Sequence, residues 1–203
     1  MPEVEIDQTP RKRGRPTAHE RTQRRDDILD AAVRLFVRDG FERVTLDDIV
    51  VEAHVTKRTI YSYIGDRNEI FLAAIARLRE RTLLVSASEE GVASVAESIV
   101  MTLQSDDAIG LHRLMIAEAH RIPELARQFY EEGPRSYIAV LGRTLPDRDP
   151  AVAEHLFALL LGEPHRQRLL GLRAAPDRAE AAAQASAALS ALGLSAERLG
   201  SMA

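Results

Sequence analysis

The chain has 203 residues, 45% of them hydrophobic, with no Cys, no Trp and a formal net charge of −4. That is enough apolar material for one small and one larger domain, and too little basic charge for a chain that is basic throughout. No apolar run approaches the roughly 20 residues of a spanning helix, the charged N-terminus is not a secretory signal, and without Cys there is no disulfide framework or thiolate metal site; a cytoplasmic protein with no membrane partner is expected.

Residues 1–19 read as a flexible arm, because Pro2, Pro10 and Pro16 oppose a helix and no apolar period appears. Positive charge is local: seven basic residues lie between Thr9 and Arg25, against Glu20 alone. Within the arm, Arg11, Arg13 and Arg15 belong to an Arg-Gly-Arg-Pro context that resembles an AT-hook. An extended arm of that kind suits the narrow, strongly negative minor groove of A·T-rich DNA. A solvated basic tail is the alternative.

A first helix is expected over Glu20–Asp39, with Ile28, Ala32, Leu35 and Phe36 as its apolar stripe and Gly40 as its stop. The next stretch, 45–64, reads as two short helices around a three-residue turn, Ala53-His54-Val55. Thr45 and Thr56 stand where a hydroxyl can cap each helix, and Asp48 offers a short-armed capping box. Val55, Ile60 and Ile64 anchor the second helix from behind, which leaves Lys57, Arg58, Thr59, Tyr61 and Ser62 outward. A basic, hydroxylated and aromatic face without acid suits the major groove.

This stretch resembles the TetR family of bacterial transcription regulators. The family pattern is met at Thr45, Asp48, Ile49, Ala53, Val55, Thr59, Ile60, Tyr61 and Tyr63, and departed from at Val50, His54 and Ile64. His54 stands where the pattern has Gly, so strain in the turn is expected. The resemblance implies a three-helix DNA-binding head at 20–65, with Thr45, Thr56, Lys57, Arg58, Thr59, Tyr61 and Tyr63 at the DNA. It also puts Arg67 in the place of a phosphate-contacting Lys, at the start of a fourth helix that Asp66 and Glu69 cap.

Beyond residue 89 the pattern is helical throughout, over 90–103, 106–121, 123–144, 149–170 and 177–192, with breaks expected at Gly133-Pro134 and Pro164. The stretches 117–134 and 156–171 resemble the C-terminal domain of the AefR-like branch of the same family. The whole is expected to be all-α: the head, then a helical ligand-binding and dimerisation domain over 66–203. His112, Met115, Phe129, Tyr137, Leu141, Phe157 and His165 are candidates for the wall of a ligand cavity. Residue by residue, ordinary bundle core is the better explanation of the apolar members, and the resemblance is what implies a cavity. The small residues of the last two helices, among them Ala151, Ala158, Leu159, Ala181, Ala185, Ala188 and Leu189, suggest a homodimer.

The expected function is DNA-binding transcriptional regulation: repression of a palindromic operator, relieved by a small-molecule effector. A constitutive or architectural DNA-binding protein is the alternative, supported by the arm. A third reading, a helical enzyme or metal protein, has only the six histidines behind it. No zinc-protease motif, phosphate-binding glycine loop or nucleophile elbow occurs, so no enzyme, metal or cofactor is expected.

Overall fold

The computed structural model describes residues 17–87, 91–145 and 147–194; among them there are helices and no strands. Helix α1 spans Ala18–Asp39, α2 Leu46–Glu52, α3 Lys57–Tyr63 and α4 Arg67–Ala87. Then follow α5 (Val92–Leu103), α6 (Asp106–Glu118), α7 (Pro123–Tyr130), α8 (Ser136–Thr144), α9 (Pro150–Leu169) and α10 (Arg178–Ala191). No helix among the described residues is long and apolar enough to cross a membrane.

The helix starts follow from side-chain chemistry. Thr17 and Glu20 form a full capping box, so α1 begins at Ala18, inside the stretch expected to be arm. Asp66 and Glu69 exchange the same pair of bonds at the head of α4. Ser105, Asp149 and Asp177 cap α6, α9 and α10 with their side-chain oxygens.

The two prolines that interrupt the later helices act differently. Between α7 and α8 the chain continues as a π-turn, Glu131–Arg135, with Pro134 inside it. Proline has no N–H to give the preceding turn, and the Ser136 hydroxyl donates instead to the Glu131 carbonyl at 3.0 Å. In α9 the break falls at Gly162, two residues before Pro164, with φ 49° and ψ −149°. The residue before a proline is pushed out of helical conformation, and here the glycine next to it absorbs the bend.

Two apolar cores form. The first joins α1, α2, α3 and α4 around Ile28, Phe36, Phe41, Ile49, Ile60 and Phe71, and continues into Leu111, Met115 and Leu125 of α6 and α7. Phe36, Phe41 and Phe71 are mutual neighbours, with ring centroids 5.2–6.1 Å apart, and edge contacts of this kind add to simple burial. The second core is aliphatic and small: Val95, Ile99, Val140, Leu141, Leu156, Leu160 and Ala185, with Tyr137. Here α10 lies on α5 through Ala181, Ala185, Ala188 and Leu189, all buried within the one chain. Those four residues, expected at a subunit interface, are therefore internal, because the apolar face of α5 takes them first. Ala151, Ala158 and Leu159 of α9 remain exposed.

Candidate DNA interface and ligand cavity

Helix α2 starts on Thr45, whose hydroxyl accepts from Asp48 N–H at 3.3 Å while its own N–H donates to the Asp48 carboxylate at 2.8 Å. The box closes with Asp in place of the longer Glu. Helix α3 starts on Thr56, which accepts from Thr59 N–H at 3.1 Å and shares a 2.9 Å bond with the Thr59 hydroxyl. A cap of this kind contributes about 1 kcal/mol. Both hydroxyls are thus engaged in starting their helices, and Thr45 and Thr56 position the motif.

Between the two helices His54 has φ 52°, as expected where the family pattern has Gly. The Val55 N–H donates to the Val50 carbonyl at 3.1 Å and closes the turn. A left-handed histidine costs roughly 1 kcal/mol. Ile49 and Ile60, both fully buried, hold α2 and α3 to the first core with their opposite faces outward. Lys57, Arg58, Tyr61 and Ser62 are exposed on α3, and Thr59 is half-buried. Arg58 forms no hydrogen bond or ion pair among the described residues, so its guanidinium is available to a ligand. The Lys57 ammonium lies 2.9 Å from Asp47, a pair too exposed to matter much for stability.

Two of the expected contacts sit elsewhere. Tyr63 is half-buried against the first core, with the Arg21 guanidinium 5.4 Å from its ring centroid. Two residues from Tyr61 on a helix, it faces away from it. Arg67 donates from one nitrogen to the carbonyls of Phe41, Glu42 and Val44, each at 3.2 Å, and lies 4.5 Å over the Phe41 ring. Its charge is committed to the α1–α2 loop, whose carbonyls have no helical partners to accept from. Arg11, Arg13 and Arg15 lie outside the described residues. Arg21, in the first turn of α1 and outside the expected set, is brought beside the end of α3 by its contact with Tyr63; the basic run between Thr9 and Arg25 was its signal.

The candidate cavity has a volume of about 50 Å³. His112, Phe129, Tyr137, Phe157 and His165 line it, as expected. Met115 and Leu141 do not: Met115 packs in the first core and Leu141 in the second. Helical spacing put them on plausible faces, but the neighbouring helices close over those faces. The remaining wall comes from Ile75 and Leu78 of α4, Leu103 of α5, Ala108 of α6, the Gly133-Pro134 turn and Leu161. Nothing in their spacing marked them, apart from the break at Gly133-Pro134.

The polar end of the cavity is a histidine pair. His112 Nδ1 and His165 Nε2 are 3.1 Å apart, with ring centroids at 5.2 Å. Burial lowers the pKa of both, and His165 falls to about 4 through burial, the neighbouring His112 and the Arg168 guanidinium. Arg168 is itself buried, donating to the Gln104 and Arg173 carbonyls at 2.9 Å and to Asp106 at 2.7 Å. Each donor is matched, which a buried charge requires. Glu118 and Glu163, the acids that α6 and α9 also carry, pair with Arg121 and Arg166.

Comparison with known proteins agrees with this architecture. The profile of the bacterial regulatory proteins, tetR family, matches residues 28–74. That of the AefR-like transcriptional repressor C-terminal domain matches residues 90–192. The regulator BetI of Agrobacterium fabrum is 30% identical over 175 residues, covering 75% of this chain and 82% of BetI. The repressor SCO4008 of Streptomyces coelicolor is 32% identical over 107 residues, covering 52% of this chain and 47% of that protein. For SrpR of Pseudomonas putida the match is 30% over 89 residues, 44% of this chain and 42% of SrpR, so the chain spans less than half of that relative's length. Among solved structures, a TetR-family regulator from Mesorhizobium loti superposes with TM-score 0.67 at 24% identity, covering 87% of this chain and 96% of its own. The flavonoid-responsive regulator FrrA does so with TM-score 0.61 at 25% identity, covering 83% and 94%. With both halves matched and the helix-turn-helix formed, the chain belongs to the TetR family of bacterial regulatory proteins and is a DNA-binding transcriptional regulator with an AefR-like C-terminal domain.

Proposed function

We propose that this chain is a cytoplasmic, non-enzymatic repressor that acts as a homodimer on a palindromic operator and is released by a small ligand in the cavity. The observation that carries this reading is the double role of α4. Its middle, at Ile75 and Leu78, is cavity wall. Its start, at Arg67, holds the α1–α2 loop, and Arg77 bonds the Asp26 carbonyl at 3.1 Å and pairs with the Asp30 carboxylate on α1. A ligand that parts the wall therefore moves the helix to which the head is fastened. Two heads must lie about 34–36 Å apart to meet successive major grooves, and a ligand favouring another spacing draws the population off DNA.

At the DNA, Arg58 and Thr59 are assigned to bases, and Lys57 and Tyr61 to phosphates, with Arg11, Arg13 and Arg15 following the minor groove. Arg21 joins the phosphate set, and the half-buried Tyr63 supports it. The exposed side of α9, with Ala158 and Leu159, is assigned to the two-fold interface. Two similar proteins, a repressor and a flavonoid-responsive regulator, support repression and ligand response.

The test uses the DNA upstream of the chain's own gene, followed by fluorescence anisotropy. The expected result is one dimer bound per site, and a Leu159→Glu variant that sediments as a monomer and no longer binds. Binding by that monomer with undiminished affinity overturns the two-head mechanism.

A further inference from the structure

The histidine pair has a feature that a purely structural link between α6 and α9 does not need. His165 is 6% exposed, and its Nδ1 is buried with no hydrogen-bond partner. Leaving a buried polar atom in that condition is unfavourable, and this one belongs to a residue that lines the cavity. Around the pair the wall is carbon, apart from Tyr137. Among the described residues, α4, α5 and α7 give it Ile75, Leu78, Leu103 and Phe129, and none of the lining residues is a carboxylate. A full charge that acts on His165 is the cation of Arg168, three residues on and already engaged with Asp106.

An organic cation would find aromatic rings here but no carboxylate among the described lining residues to offset its desolvation. It suits the opposite ligand. Two imidazoles in contact offer one free N–H and one free lone pair, whichever tautomer the shared bond adopts. Burial keeps both imidazoles neutral until a bound anion favours the protonated form. Building on the ligand-responsive reading above, we propose that the cavity takes an aromatic weak acid, a phenol or a carboxylic acid, whose acidic oxygen is bound by the His112–His165 pair.

The proton accounting separates the two sources. A phenol arrives with its proton, which it donates to an imidazole nitrogen, so no proton is exchanged with solvent. A carboxylate arrives ionised. Buried in a carbon-walled site, with Arg168 already committed, it needs a counter-charge. One imidazole takes a proton from solvent, and the bound species is carboxylate against imidazolium. The groups that set this protonation are His112, His165, the Tyr137 hydroxyl, Arg168 and Asp106. The volume of 50 Å³ is well below the roughly 150 Å³ that holds a benzene ring. A ring ligand must therefore part the walls at the two interrupted segments, the Gly133-Pro134 turn and the Gly162 bend.

The test is calorimetry on the full chain near neutral pH, in two buffers of different ionisation enthalpy. Four probes share one ring system: naphthol, naphthoate, naphthalene and the naphthyl trimethylammonium cation. Expected is at least about tenfold tighter binding of naphthol and naphthoate than of the other two, with close to one proton taken up per naphthoate and none per naphthol. His112→Phe and His165→Phe, checked for wild-type helix content, should reduce the two acids to the level of naphthalene. The double variant His112→Gln, His165→Gln, which has no imidazole left to protonate, should keep naphthol and lose the proton uptake with naphthoate. An equally tight cation or hydrocarbon, a preference that survives both Phe variants, naphthoate binding without proton uptake, or no binding by any probe overturns the assignment. Operator release is read separately. Histidine-dependent binding without release leaves the ligand class standing and removes the repressor mechanism. Release by another compound, with no binding of the acids, does the reverse.

Discussion

The helix-turn-helix and the cavity are built by opposite means. The motif over 45–64 is made within twenty residues of chain: two threonine caps, one acid in a capping box, a turn with its one strained residue, and buried Ile49 and Ile60 behind. The cavity draws on residues from Ile75 to His165, on both sides of two broken helices. Its polar end exists only because α6 and α9 meet. A motif made of local bonds forms wherever its sequence is placed against a core. A cavity made of distant walls depends on every element that carries one. The two are joined at Phe71, which contacts Phe36 and Phe41 on the head side and Phe129 of the cavity wall at 6.2 Å.

The largest expected effect comes from breaking that joint. Phe71→Ala should cost about 3–5 kcal/mol and lower amide protection in both regions together. Protection lost in the head alone would show the two to be independent. The next effect is confined to the cavity. The folded-state pKa of His165 is lowered to about 4, whereas an unfolded histidine titrates near 6.5. The unfolded chain therefore binds more protons between these values, and stability should fall as pH drops from about 6.5 to about 4, by roughly 2 kcal/mol. His165→Phe should flatten that part of a denaturation profile, and an unchanged slope would remove the burial argument.

On the DNA side the effects are smaller and local. Arg58→Ala should cost about 1–3 kcal/mol and relax preference at one base position. Lys57→Ala should weaken all sequences alike and reduce the salt slope. Competition with random DNA distinguishes these, and an unchanged specificity ratio for Arg58→Ala would contradict its assignment to a base. The smallest effect is a gain. His54→Gly should stabilise the chain by roughly 0.5–1 kcal/mol by relieving the positive φ, with the cavity's pH profile untouched. Loss of stability there would mean that the histidine side chain contributes more than its backbone costs.

The parts of the chain that could be read in advance are those where cause and effect lie within one helical turn. The caps at Thr45, Thr56 and Asp66, the strain at His54 and the breaks at Gly133-Pro134 and Pro164 are all of this kind. The α1 capping box was equally local, but the prolines upstream obscured it. Arg67 could be placed at the start of α4 but not in its contacts, because the carbonyls it serves lie 23–26 residues away in sequence.

Sequence by itself thus determined the helical class, the motif, its outward face and the residue types of a cavity. Periodicity states which side of a helix is apolar, and caps state where the helix begins. Neither says which neighbour covers that side. Met115 and Ala185 are apolar residues on apolar faces, and only packing decided that one belongs to the head's core and the other to the contact with α5 rather than to a cavity or a second subunit. The same holds for His112 and His165, 53 residues apart along the chain. Their chemistry as a pair depends on a distance that no spacing encodes, because it is set by how α6 and the bent α9 settle against each other.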